Sequence, residues 1–239
     1  MSSLLLLNGS PRGPRSNSMK LLTRLGEGWE RGGGDAPTVL HLAHRADFDR
    51  AVAAFVEADT VILGMPLYTD AMPALVKEWI EAIADRAEPG HDPNPRLAFV
   101  VQSGFPEACH SRPLERYLEK LARRLDAPYA GTIVRGGGES LQAMPDEASR
   151  KLWAQLHSLG EELARDGRFS AELLSAVGRT ERFSAAQILL LKAVYKLPIS
   201  QFYFNSMLKK NGAWDRRFAR PYDPSPVQRS RAQRLLRTP

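Results

Sequence analysis

With 239 residues, 43% apolar and 25% charged, the chain can bury one good-sized core and has the balance of an ordinary soluble globular protein. Its one cysteine, Cys109, excludes an intrachain disulfide and a cysteine-bound iron–sulfur cluster, so redox chemistry would have to come from a bound cofactor. The net charge of +6 is uneven, because from Ser200 onward nine lysines and arginines face only Asp215 and Asp223.

Met1-Ser2-Ser3 followed by Leu4 to Leu7 carries no basic leader, and the apolar run is far shorter than a signal core. It reads as the first buried strand of a cytoplasmic protein. Up to about residue 168, short runs rich in Val, Ile and Leu alternate with longer stretches of helical period, the pattern of βα units around a buried parallel sheet. Strands are expected at Leu4 to Asn8, Thr38 to Leu42, Thr60 to Gly64, Leu97 to Gln102 and Tyr129 to Val134. Helices are expected at about Asn17 to Glu30, Asp47 to Glu57, Met72 to Arg86, Pro113 to Leu125 and Asp146 to Asp166. The result is an α/β fold, a doubly wound three-layer sandwich, with Gly32 to Gly34 and Glu88 to Pro95 as turns on the far side.

Such a sheet binds ligands beyond the carboxyl ends of its strands, where the winding reverses. The loop after the first strand, Asn8 to Ser18, joins Gly9 and a hydroxyl-rich bend to a helix beginning at about Asn17. Free amides, hydroxyls and the positive helix end make an anion site there. Ser10, Ser16 and Ser18 offer hydroxyls, Asn17 an amide, and Arg12 or Arg15 a guanidinium for a phosphate dianion. In the blander alternative, Ser16 or Asn17 only caps the helix. The loop has neither Gly-Lys-Ser/Thr nor Gly-x-Gly-x-x-Gly, so a monophosphate suits it better than a triphosphate or dinucleotide.

Leu7 to Arg12 (LNGSPR), Ser16 to Ser18 (SNS), and Gly64 to Ile80 with its GMPLY and MPALVKEWI segments together resemble the NAD(P)H-dependent FMN reductases. The likeness spans about the first 168 residues. It implies a flavodoxin-like three-layer sandwich with a five-stranded parallel sheet in order 2-1-3-4-5. It also implies FMN, with its phosphate on Ser10, Arg12, Ser16, Asn17 and Ser18 and its ring edge against Pro66, Leu67, Tyr68 and Thr69. Pro66 restricts the turn and Tyr68 supplies an aromatic wall. By analogy Ser103, Gly104 and Phe105 close the third side. No catalytic acid–base pair is expected, since the cofactor itself accepts the hydride.

Other signals are weaker. Gly136 to Gly138 follow the fifth strand at the same rim and read equally as a ligand contact or a plain turn. His41, His44 and Asp47 lack further ligands for a metal site, and Cys109-His110 lacks an orienting acid, so no metal and no thiolate pair are expected. Residues 169–239 form a helical, basic extension to the 1–168 domain. Its apolar run from Phe183 to Leu208, broken at Pro198, is too short to span a bilayer and must pack on the domain, on a second subunit or at a membrane surface. Packing on protein is the preferred reading, which makes a homodimer the expectation. Ser225 to Pro239 reads as a mobile basic tail without a nucleic-acid motif.

The leading functional reading is an FMN-dependent oxidoreductase passing electrons from NADH or NADPH to a small-molecule acceptor such as a quinone, nitro compound or free flavin. An electron carrier would be expected to show an acidic docking face, and a non-catalytic anion-binding module is the third class.

Overall fold

The computed structural model describes residues 2–84, 94–143, 145–178, 180–197, 201–220 and 222. The turn expected around Glu88, the break at Pro198 and the basic stretch from Ser225 lie outside the described residues.

Five strands, β1 (Leu4–Asn8), β2 (Thr38–His41), β3 (Thr60–Pro66), β4 (Arg96–Gln102) and β5 (Tyr129–Arg135), form one parallel sheet in order β2-β1-β3-β4-β5. Strand alternation sorts the core into two layers. Leu5 and Leu7 of β1, with Val61, Leu63, Phe99 and Val101, pack against α2 (Arg45–Ala54), α3 (Ala74–Ala84) and α4 (Arg112–Arg124). Leu4 and Leu6, with Ile62, Ala98 and Val100, pack against α1 (Asn17–Arg31) and α6 (Arg150–Asp166). A single turn, α5 (Ser140–Ala143), lies between β5 and α6.

The crossing of α1 and α6 is very close. A Cβ on Gly28 would meet the backbone of His157, and one on Gly160 would meet the backbone of Leu25 and Trp29. Only glycine allows that approach, and it fixes the helix whose first turn carries Ser16, Asn17 and Ser18.

Several boundaries differ from the sequence expectation for local reasons. Helix α3 starts at Ala74, because Tyr68 and Ala71 first close a tight loop by exchanging backbone hydrogen bonds of 2.9 and 3.0 Å. The stretch from Asp146 splits into a 3-10 turn, Asp146–Ser149, before α6, which ends at Gly167 with φ 68. A further helix, α7 (Ala171–Val177), is capped by Ser170 and buries Val177 beside Phe169 in the second layer. Arg135 at the end of β5 donates to the Val177 carbonyl at 2.9 Å. The first compact unit therefore runs past residue 168 to Arg182.

The second unit, Phe183–Pro239, holds α8 (Ala185–Tyr195) and α9 (Phe202–Lys210). Ser184 and Gln187 form a reciprocal capping box at the start of α8, and no residue of α8 is buried.

Candidate functional site

The strand order reverses between β1 and β3, so the loops after these strands flank one crevice. The first loop is built around Asn8, which the sequence reading did not single out. Its Nδ2 donates to the Gly13 carbonyl at 2.8 Å, while its Oδ1 accepts from the Ser10 amide at 3.2 Å and the Ser16 hydroxyl at 3.3 Å. These partners fix the orientation of the amide, because a carbonyl can only accept and a backbone N–H can only donate. The same Nδ2 lies 3.1 Å from His41 Nδ1 at the end of β2, so that nitrogen is the acceptor. The only sequence signal for this role was a polar residue ending a strand that is otherwise entirely leucine. Gly13 turns the loop at φ 59, and its amide donates to the Ser10 carbonyl at 2.9 Å.

The candidate phosphate residues divide into two groups. Ser16 is committed to the fold: its hydroxyl caps α1 by accepting from the Met19 amide at 3.1 Å and donates to Asn8. Ser10 Oγ likewise accepts from the Arg12 amide at 3.3 Å. In contrast, both amide atoms of Asn17 and the Ser18 hydroxyl are buried with no hydrogen-bond partner among the described residues. A buried polar group left unpaired costs about 1–3 kcal/mol. Both residues lie in the first turn of a fifteen-residue helix, where the backbone amides have no intrahelical partner, and such a turn can hold an anion. Arg12 reaches across the crevice to Glu139, 3.7 Å away in the turn after β5.

In the second loop Pro66 ends β3 and has no N–H. The Leu67 amide donates to the Gln102 carbonyl at 2.8 Å and the Tyr68 amide to the Ala71 carbonyl. Those two donors are spent on the fold. What the loop presents is the Tyr68 ring, 45% exposed, and a tip where Thr69 and Asp70 both hold left-handed backbone, φ 49 and φ 61. Such values are costly for non-glycine residues, and for a β-branched threonine above all.

In the third loop, Ser103 is buried, with its amide on the Arg135 carbonyl and its hydroxyl on the Phe105 carbonyl at 3.1 Å. Phe105 is 58% exposed, with its ring 4.7 Å from that of His110. The glycines after β5 hold this loop in place. Gly137 and Gly138 donate to the Phe105 and Ser103 carbonyls, both at 2.7 Å, and Gly136 lies so close to Pro106 that a Cβ would strike its carbonyl. Gly104 is different, because a Cβ there would meet nothing nearer than Glu139 Cγ at 3.6 Å. The protein itself places no steric demand for glycine at that position.

A family model described as flavodoxin-like fold matches residues 2–156. An NADH:FMN oxidoreductase solved in its apo form (EMOB) is 16% identical, with 78% of this chain and 98% of that one covered at a TM-score of 0.54. An FMN-dependent NADH-azoreductase from Bacillus anthracis str. Ames Ancestor, solved with FMN, is 15% identical, with 69% and 100% covered at 0.51. An NADPH-quinone reductase from P. pentosaceus is 19% identical, with 70% and 99% covered at 0.50. At these identities the structural likeness establishes the fold. No curated protein matches the sequence.

Proposed function

The chain belongs to the flavodoxin-like fold family, and from that membership we propose that it is an FMN-dependent NAD(P)H oxidoreductase. The observation that carries the proposal is the pair of buried, unpartnered side chains, Asn17 and Ser18, at the N-terminus of α1 in the crevice between β1 and β3.

Asn17 and Ser18 would bind the phosphate together with the positive end of α1, and Arg12 would neutralise its second charge. Ser10 and Ser16 act one step back: with Asn8 they hold the loop in the shape that brings these donors together. Pro66 to Thr69 would border the ring on one side, chiefly through the Tyr68 face and the tip at Thr69. Ser103 to Phe105 would border the other side, with Gly104 leaving room for close approach. Bound FMN would supply the hydride chemistry, taking hydride from NADH or NADPH and delivering electrons to a quinone, nitro compound, free flavin or similar small acceptor. No side-chain acid or base is assigned a catalytic role. We place the reaction in the cytoplasm, where reduced nicotinamide nucleotides are made.

The support from related folds is consistent with this reading. Proteins described as FMN-dependent or NAD(P)H-dependent reductases share the fold at TM-scores of 0.50 to 0.54. The test is to purify the protein, add FMN and record the visible spectrum and the oxidation of NADH and NADPH with a quinone present. Flavin bands that stay with the protein and acceptor-dependent nicotinamide oxidation are expected. Flavin binding without nicotinamide oxidation would make the chain an electron carrier, and absence of flavin binding would overturn the site.

A further inference from the structure

We propose that helices α8 and α9 of the C-terminal unit form a docking element for anionic lipid surfaces. The first observation is the distribution of side chains around α8. Ile188, Leu189, Leu190, Leu191, Val194 and Tyr195 are all exposed, and successive residues step by about 100° around a helix, so they cover most of its circumference. Lys192 and Lys196, four residues apart, fall on one narrow stripe. Gln187, the remaining polar residue, is occupied in the capping box with Ser184. A helix that docks on a protein in water presents one apolar stripe and keeps the rest polar. The lysine stripe lies between Ile188 and Leu189, and long lysine stems can lift their ammonium groups to the headgroups of a bilayer while the exposed apolar side chains beside them sit below.

The second observation is charge. Residues 183–239 hold eleven lysines and arginines against Asp215 and Asp223, a net +9, while the whole chain is only +6, which leaves residues 1–182 at −3. Helix α9 sets Phe204, Met207 and Leu208 on one side and Asn205, Ser206, Lys209 and Lys210 on the other, with the exposed Phe202 among the polar residues. Beyond it, Lys209 and Arg217 lie over the Trp214 ring at 5.0 and 4.1 Å, which joins cation and aromatic in the combination that suits the headgroup layer. A second copy of the unit would bring +9 against +9. Anionic headgroups complement both the charge and the apolar arc. Among the described residues no helix is long and apolar enough to cross a membrane, so the element would rest on one leaflet. On this assignment the apolar run that motivated a homodimer is covered by lipid instead. Acceptors dissolved in the bilayer would then lie within reach, a consequence that rests on the flavin reading and that the test below does not require.

The test is flotation of the full-length protein with phosphatidylcholine vesicles and with mixed phosphatidylcholine–phosphatidylglycerol vesicles, beside sedimentation of the free protein. Flotation with the mixed vesicles, at least about tenfold weaker with phosphatidylcholine alone and weakened by salt, is expected. Leu189→Glu with Leu190→Glu should reduce it at least about tenfold while the melting of the flavodoxin-like unit is unchanged. No flotation with mixed vesicles overturns the proposal. So does full flotation of the double variant, or a dimer in sedimentation that the double variant dissociates, which would assign these helices to a second copy.

Discussion

The Arg12 guanidinium lies 3.7 Å from the Glu139 carboxylate, an ion pair that links the loop after β1 to the turn after β5. Both side chains are about half exposed, so the pair is worth little in water, on the order of 0.2–1 kcal/mol. Its importance is competitive, because a phosphate arriving at Arg12 meets a carboxylate already there. Glu139→Gln should therefore tighten FMN binding by about 1.5- to 5-fold at low salt, with the gain fading as salt is added. Titration by quenching of flavin fluorescence measures it. Weaker binding in the variant would show instead that Glu139 holds Arg12 in position.

Asn17→Ala with Ser18→Ala should lower FMN affinity by about 1–3 kcal/mol, through lost hydrogen bonds to a charged ligand. The flavin-free protein should melt no lower than wild type, since the side chains removed are buried and unsatisfied without ligand. Ser16→Ala should behave in the opposite way. It removes the cap of α1 and should cost the flavin-free protein about 1 kcal/mol. Calorimetry and thermal melting of the two variants separate the roles, and equal melting losses in both would place Asn17 and Ser18 in the fold rather than the site.

This division was only half legible in the sequence. The strand Leu4–Asn8 and the helix start at Asn17 follow from an apolar run, a glycine-led bend and a capping residue, all local signals. Which hydroxyl caps and which does not depends on Asn8, whose local contacts to Gly13 and Ser16 leave no mark in the sequence pattern and whose contact to His41 forms only when β1 and β2 pair. Glu139 carries no signal at all, since its neighbour Arg12 is brought up by the sheet. The short α7 was hidden for the same kind of reason: a seven-residue helix has little pattern of its own and is held by burial of Val177 and by Arg135.

At the rim, Tyr68→Ala should alter the flavin spectrum or the rate of flavin reduction and leave the melting temperature of the flavin-free protein nearly unchanged, because the ring is 45% exposed. Thr69→Gly should raise stability by about 1 kcal/mol, since glycine holds φ 49 without the clash a β-branched side chain suffers. If the strain at Thr69 serves to present the loop to the ring, the same change weakens FMN binding. A lower melting temperature for Thr69→Gly would show that its side chain does more for the fold than its backbone costs.

Two glycines at the same rim should respond differently to alanine. Gly136→Ala places a Cβ against the backbone of Pro106 and should destabilise by about 1–3 kcal/mol, whether or not flavin is present. Gly104→Ala has room and should be within about 0.5 kcal/mol of wild type in the flavin-free protein, yet weaken FMN binding if the ring edge approaches Gly104 as proposed, because the added methyl would stand in its way. Denaturant melts with flavin titrations check both, and unchanged affinity in Gly104→Ala would remove that residue from the site.

The last prediction concerns acid, through His41. Burial, and after it the nearby charge of His44, hold the His41 pKa below its ordinary value, with Asp47 pulling weakly the other way. The hydrogen bond from Asn8 works in the same direction, since a proton on Nδ1 would face the Asn8 NH2 and destroy an acceptor. Above about pH 6.5 the ring is neutral in both folded and unfolded chains and contributes no pH dependence. Below it the unfolded chain takes up a proton that the folded chain resists, so stability falls with pH until the depressed folded value is reached. Because Asn8 also holds Gly13, Ser10 and Ser16, this loss should be accompanied by weaker FMN binding. His41→Gln keeps an acceptor for Asn8 without a titrating group. Melting temperature and FMN affinity, measured from about pH 7.5 down to about pH 5.5, should fall more steeply in wild type than in His41→Gln. Parallel profiles would mean that the acid sensitivity of the loop, if any, arises in groups other than His41.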